Sequence, residues 1–316
     1  MNTKMRDSPM WSRREFAAGS LKAAIGAGAF PALLPGAAAA APAAHLRFGL
    51  ATYEWGRDWD IPTIIANLTK AGVRGVELKT LIKYANGRQE RYPHGVELEL
   101  SASGRAEARK RFADSPVTLV SLASSEHFPW PDPDQDKAAV EAVKGYLQLS
   151  HDVGAGRVRV LPNDWLPAAP HEKTLERIAD ALNQVGGVAA DLGQEVDLEA
   201  HSAPGSIPNM KFVLDRVKYR GVRIRLNSEL RNTVDPGFEQ QFAMIKDRVA
   251  RVMHIHNLKA AKYPYQQVID VLTKAGWDGW ALLEVSDKVP DRVAALSEQR
   301  EIWESMVAKA RVTQQS

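Results

Sequence analysis

From residue 45 onward the sequence alternates, eight times over, between a short run rich in valine, leucine and isoleucine and a more polar stretch. The strand-like runs fall at 46–51, 75–78, 117–122, 157–161, 195–199, 222–226, 249–256 and 280–285. Several show little solvent-facing alternation, as parallel strands buried on both faces do. Between them, 61–71, 137–153, 173–192 and 266–275 carry apolar residues at helical spacing, and each run is closed by a glycine: Gly72, Gly154, Gly193 or Gly276. Helix, glycine, strand is the usual αβ connection. Eight such strands predict one α/β domain, a (β/α)8 TIM barrel, over an open sheet. No glycine fingerprint of the dinucleotide or phosphate-loop type follows the first strand, which counts against a Rossmann fold.

The first 44 residues read differently. Ser12-Arg13-Arg14-Glu15-Phe16 sets two arginines before an Ala/Gly-rich stretch whose only later charge is Lys22, and small residues offer cleavage sites between about Ala38 and Ala44. This is the pattern of a twin-arginine signal peptide over 1–44, with the barrel over 45–316. The expected location is therefore periplasmic or otherwise exported. Pro31 and Pro35 break the apolar stretch, so no stable membrane span is expected after cleavage.

Charge follows the same division. The chain has 41 basic and 38 acidic residues, and residues 1–44 contain five of the former and two of the latter. The remainder holds 36 of each, so the basic character belongs to the signal, and no nucleic-acid partner is expected. The chain has no cysteine. Disulfides and thiolate chemistry are excluded, and any metal must be held by His, Asp, Glu or Asn.

Two long loops are expected on the active face, 80–97 with Tyr84, Arg88, Arg91, Tyr92 and His94, and 126–136 after the third strand. Polar residues recur where barrel strands end: Glu77 and Lys79, Glu199 and His201, Asn227 and Glu229, His254 and His256, and Glu284. The last four strands thus send Glu, Asn, His and Glu towards one spot. Two carboxylates, an imidazole and an amide oxygen suit a divalent ion such as Mn, Mg, Co or Zn.

The motifs Gly75-Val76-Glu77-Leu78, Leu198-Glu199-Ala200-His201, His254-Ile255-His256 and Leu283-Glu284 occur in an order that resembles the xylose-isomerase-like TIM-barrel superfamily. This is the sugar phosphate isomerase/epimerase group, which also contains the family-2 AP endonucleases. The similarity runs from Leu46 to about Val312. It implies that Glu199 and Glu284 are metal ligands and the catalytic acid/base pair. A histidine ligand is implied on strand seven, where His256 is chosen as nearer the strand end. Asn227 stands where the family usually has an aspartate ligand, and Leu230 where it has a substrate-binding histidine. Both departures put the metal and the substrate grip in question. His201 or Glu229 would take over the lost contact, and Glu77, Lys79 and His254 are further substrate-binding candidates. Tyr53, Trp55, Tyr92, Phe128 and Trp130 are candidates for stacking on a sugar ring.

The implied chemistry is proton abstraction beside a carbonyl through an enediolate. The expected function is an exported, metal-dependent isomerase or epimerase acting on an unphosphorylated sugar or keto-sugar. A keto-sugar lyase or dehydratase, and a non-catalytic carbohydrate-binding barrel, are the alternatives. AP-endonuclease-like cleavage is disfavoured by the neutral surface and too few His and Asp ligands. The sequence leaves homo-oligomerisation open.

Overall fold

The computed structural model describes residues 44–83, 88–259 and 262–313. Apart from Ala44, the expected twin-arginine segment lies outside the described residues, as does Tyr84. Among the described residues no helix is long and apolar enough to cross a membrane.

Eight parallel strands close a barrel in sequence order: β1 (His45–Ala51), β2 (Gly75–Lys79), β3 (Thr118–Phe128), β4 (Arg157–Pro162), β5 (Glu195–Glu199), β6 (Val222–Asn227), β7 (Val249–Ile255) and β8 (Asp278–Leu283). Each is followed by a helix: α1 (Ile61–Lys70), α2 (Ala102–Ala113), α3 (Pro133–Val153), α4 (His171–Asp191), α5 (Ile207–Asp215), α6 (Phe238–Ile245), α7 (Tyr265–Lys274) and α8 (Arg292–Thr313). The helices bury one stripe against the outer face of the strands, with Ile64, Leu68, Leu147, Ile178 and Leu182 fully enclosed. Gly154, directly after α3, and Gly193, the second residue after α4, adopt φ of +83° and +64°, a left-handed turn that an L side chain would strain.

One expected loop is shorter than the sequence indicates. Instead of a loop over 126–136, β3 runs on to Phe128, pairing His127 with Leu161 and Phe128 with Pro162 after a register shift. Helix α3 then starts at Pro133, capped by the Asp132 carboxylate on the Asp134 N–H. Proline suits the first helical turn, where its missing N–H costs nothing. The 80–97 loop contains a two-stranded ribbon, Ile82–Lys83 against Gln89–Glu90.

Glu97 closes that loop from inside. Its Oε2 accepts the Leu81 N–H at 3.1 Å, while Oε1 is buried without a partner. Burial pushes its carboxyl from 4.5 up to about 7. A folded-state value above the unfolded one means stability present at pH 4.5 is lost as pH rises through 7. Glu97→Gln is therefore expected to stabilise the protein by about 1–3 kcal/mol at pH 8, with the gain fading towards pH 4.5. Urea unfolding at the two pH values checks it.

The interior of the barrel departs from the aliphatic filling expected of this fold. Its apolar layer is small: Ala51, Val120, Val252 and Leu282 with Trp280 beside them. Gly75 carries no Cβ because one there would collide with the Trp280 ring. Above and below this layer the inward positions of β4, β5 and β6 are charged and alternate in sign between neighbouring strands. Arg157 pairs in register with Glu195, Arg159 with Asp197, and Asp197 in turn with Arg223. This charged lumen is what positions the site.

Candidate active site

Glu199 ends β5, Glu284 follows β8 directly, and His254 lies within β7. The Glu284 N–H extends the barrel ladder to the Ile255 carbonyl at 2.8 Å, which fixes that side chain beside its neighbour strand. His254 Nδ1 lies 3.0 Å from Glu199 Oε1 and 3.3 Å from Glu284 Oε2. One ligand atom from each of these three residues falls within 4.8 Å of the others. His254 and Glu199 are buried, and the Glu284 side chain is 16% exposed, open to the mouth of the barrel.

The other imidazole nitrogen is held from below. His254 Nε2 lies 2.6 Å from Glu77 Oε1, and Glu77 also accepts hydrogen bonds from Ser121 and Arg225. Strands β2 and β6 are not neighbours, so the Glu77–Arg225 pair crosses the lumen. Arg225 reaches Asp197 Oδ2 at 2.9 Å with its second nitrogen. On the other flank Arg159 donates to Glu199 Oε2 at 3.0 Å and to the Ser124 carbonyl at 2.9 Å.

Burial alone would neutralise these groups, but their neighbours outweigh it. Burial pushes Glu77 up, yet Arg225 and then His254 hold it far below the usual carboxylate range. Glu199 is likewise held well below it, chiefly by His254 and Arg159. Burial pushes His254 down, and Glu199, Glu284 and Glu77 together hold it well above the ordinary imidazole range. Four carboxylates (Glu77, Asp197, Glu199, Glu284) thus share the cluster with Lys79, Arg159 and Arg225, while Arg157 is divided between Asp197 at 3.6 Å and Glu195 at 2.7 Å. The three glutamates around His254 favour a positive charge there, on the ring or on a bound cation.

Above the cluster lies a cavity of about 320 Å³, lined among others by Tyr53, Lys79, Arg159, Glu199, His201 and Glu284. Lys79 is 9% exposed, its Nζ 5.3 Å from the centre of the Tyr53 ring. Its backbone is pinned by Thr52 Oγ1 on the N–H and His94 Nε2 on the carbonyl. Burial, then Arg159, lowers the Lys79 ammonium to about 8, with Glu284, Glu199 and Glu77 opposing.

The structure brings Glu199, Glu284, Asn227, Lys79, Tyr53 and His201 together as expected from the sequence, and relocates others. His256 lines the cavity above the two glutamates but does not join their cluster; it lies past the end of β7, and its Nδ1 meets Ser228 Oγ at 2.8 Å. His254, one layer deeper, takes the central position. Glu77 is fully buried beneath His254 and cannot touch a substrate. Trp55 is 3% exposed, with Nε1 bonded to the Asp287 carbonyl, Tyr92 and Phe128 are equally buried, and none of the three lines the cavity where a sugar would stack. Glu229 pairs with Arg231 at 3.2 Å and stands 3.7 Å from His201. Arg159 and Arg225 went unnoticed in the sequence. Their signal was an arginine at alternate positions of a buried strand, opposite an acid in the next strand.

The donors fit a divalent cation. Two carboxylates and an imidazole converge, and Asn227 Oδ1 beside them is buried without a hydrogen-bond partner, while its Nδ2 donates to Glu199 Oε1 at 2.5 Å. Glu77 on the far nitrogen of His254 orients the ring, as carboxylates do behind metal-binding histidines.

Known proteins match this arrangement at the level of fold. The model of the xylose isomerase-like TIM barrel family matches residues 65–306. A 3-keto-D-glucoside 4-epimerase from E. coli, in its apo form, superposes with a TM-score of 0.66 at 13% identity, over 82% of this chain and 99% of that one. An L-ribulose 3-epimerase gives 0.69 at 16% identity, over 85% and 97%. D-Psicose 3-epimerase from Clostridium cellulolyticum H10, solved with D-tagatose, gives 0.65 at 14%, over 84% and 99%. No curated protein sequence matches the chain significantly. With its closed barrel and a family match spanning most of its length, the chain belongs to the xylose isomerase-like TIM barrel family.

Proposed function

We propose that the protein is a metal-dependent keto-sugar epimerase or isomerase that moves a proton next to a carbonyl. The observation that carries this is the meeting of Glu199 and Glu284, from two different strands, at the same nitrogen of His254. The similar solved structures are epimerases of keto-sugars, which supports the substrate class. The twin-arginine pattern of the first 44 residues supports export, and with it an unphosphorylated sugar.

A divalent ion held by Glu199, His254, Glu284 and Asn227 would supply Lewis-acid polarisation of the substrate carbonyl. The chain does the rest. One of the two glutamates accepts the proton from the carbon beside the carbonyl, and the other returns one. Arg159 keeps Glu199 ionised and fixed in direction. Lys79, with no ion-pair partner among the described residues, places an ammonium in the cavity where negative charge develops on the sugar oxygen. His254 must shed its Nδ1 proton to ligate, so metal uptake is expected to weaken in acid.

The test is deuterium wash-in. Keto-sugars incubated in D2O with the protein and Mn, Mg, Co or Zn are expected to exchange a proton next to the carbonyl, read by NMR. Absence of exchange across a panel of keto-hexoses and keto-disaccharides with all four metals would sink the reading. Because Lys79 acts as a cation, activity is expected to fall above about pH 8 as its ammonium titrates. Lys79→Met should lower kcat roughly 10–100-fold and remove that alkaline limb, whereas Lys79→Arg should shift it upward. A pH–rate profile of the three proteins decides this.

A further inference from the structure

The cavity above Glu199 does not end at Glu284. A second one, of about 390 Å³, opens on its other side, and His256, Glu284 and Ser286 line both. The two differ in chemistry. The inner cavity is lined by Lys79, Arg159 and the two glutamates, whereas the outer one has Leu230, Tyr263, Tyr265 and Val285 in its wall. Ser228, Asn257, Lys262 and Asp287 give the outer cavity hydrogen-bonding groups as well.

That wall is fixed in place. The Tyr263 and Tyr265 rings pack 4.7 Å apart, and the Tyr265 hydroxyl accepts the His256 N–H at 2.8 Å. Asn257 donates to Asp287 Oδ2 at 2.8 Å and accepts from Gln299 at 2.9 Å. Leu230, by contrast, is 47% exposed, one of few large apolar side chains left in solvent among the described residues. An apolar wall with polar groups around it suits a pyranose, whose ring C–H face is apolar and whose hydroxyls lie at the edge. A wall already held rigid costs little ordering on binding. At about 320 Å³ the inner cavity is at the small end of ligand sites, room for one sugar, and the outer is as large again.

We propose that the outer cavity is a subsite for a second sugar ring, so that the substrate is a keto-disaccharide whose oxidised ring lies at Glu199 and Glu284. This rests on the epimerase reading for its chemistry but not for its binding. The junction at Glu284 places the linkage between the rings beside the residue that handles the proton.

Binding and turnover separate the two ideas. By calorimetry, the purified protein is expected to bind at least one of cellobiose, lactose or maltose tenfold or more tightly than glucose or galactose. In Leu230→Asp and Tyr263→Ala that preference should fall to about twofold or less. Leu230 is half exposed in a surface turn, so its replacement tests the wall and not the core. If no disaccharide binds more tightly than the monosaccharides, or the preference survives both substitutions, the subsite is refuted even where exchange is seen. If disaccharides bind with the preference and the two variants lose it, but no keto-sugar exchanges, the subsite stands and the epimerase reading falls. If keto-disaccharides exchange with at least tenfold higher kcat/KM than keto-monosaccharides, and Leu230→Asp erases the difference, both stand.

Discussion

Replacing Arg225 by methionine is expected to cost about 3–5 kcal/mol of stability, enough to unfold many proteins of this size. Arg225 is fully buried, and it neutralises Glu77 and Asp197 at once. Methionine matches its bulk but leaves two carboxylates in the lumen. Asp197 keeps a distant Arg157 at 3.6 Å, and Glu77 keeps His254 in contact and the more remote Arg159. The loss comes from stranding those charges, since a buried ion pair replaced whole by neutral groups is often close to neutral in stability. The combination Arg225→Met, Glu77→Gln and Asp197→Asn should therefore recover most of what the single change loses. Urea unfolding of the three proteins measures this. A single change costing under 1 kcal/mol would mean that water reaches the lumen and that the cluster is not the closed ion network described above.

Glu77 also sets how this stability depends on pH. Its carboxyl is held below its unfolded value, so its contribution is complete above pH 4.5 and is lost progressively as pH falls from there towards the much lower folded value. Stability is therefore expected to fall more steeply below pH 4.5 than in a protein whose buried acids have ordinary values.

The barrel was legible because each β-run must be apolar on the face that meets the helices, whatever the lumen contains. Gly154 and Gly193 marked helix ends because their left-handed turns favour glycine. Glu199, Asn227 and Glu284 could be located because residues at strand ends open onto one mouth. His254 and His256 could not be told apart this way. They are two residues apart and so share a strand face, and what separates them is depth, roughly 6–7 Å along the strand. The strand ends at Ile255, and the chain then carries His256 away to Ser228. Trp55 was misread because an aromatic after a strand serves equally well as packing, and only the bond to the Asp287 carbonyl shows which. Arg159 and Arg225 needed the register: neither has a partner along the chain, and both have one across the barrel.

Glu284→Gln is expected to lower turnover about 1,000-fold while leaving the fold intact. The two glutamates differ in how much structure depends on them. Glu199 is enclosed by Arg159, Asn227 and His254, so removing its charge also strands a buried guanidinium. Glu284 sits at the open side, 3.3 Å from His254 and 3.9 Å from Arg159. Glutamine there keeps an oxygen for a cation but loses the negative charge and the ability to take up a proton. Wash-in and net conversion then report different roles. If Glu284 takes the first proton, both fall together. If it returns the proton, exchange at the first carbon persists through Glu199 while conversion stops. Retention of both within tenfold, in a variant with an unchanged unfolding midpoint, would remove Glu284 from the chemistry. The site would then have to work with Glu199 alone, and a single buried base can exchange a proton on one face of a sugar but cannot invert it.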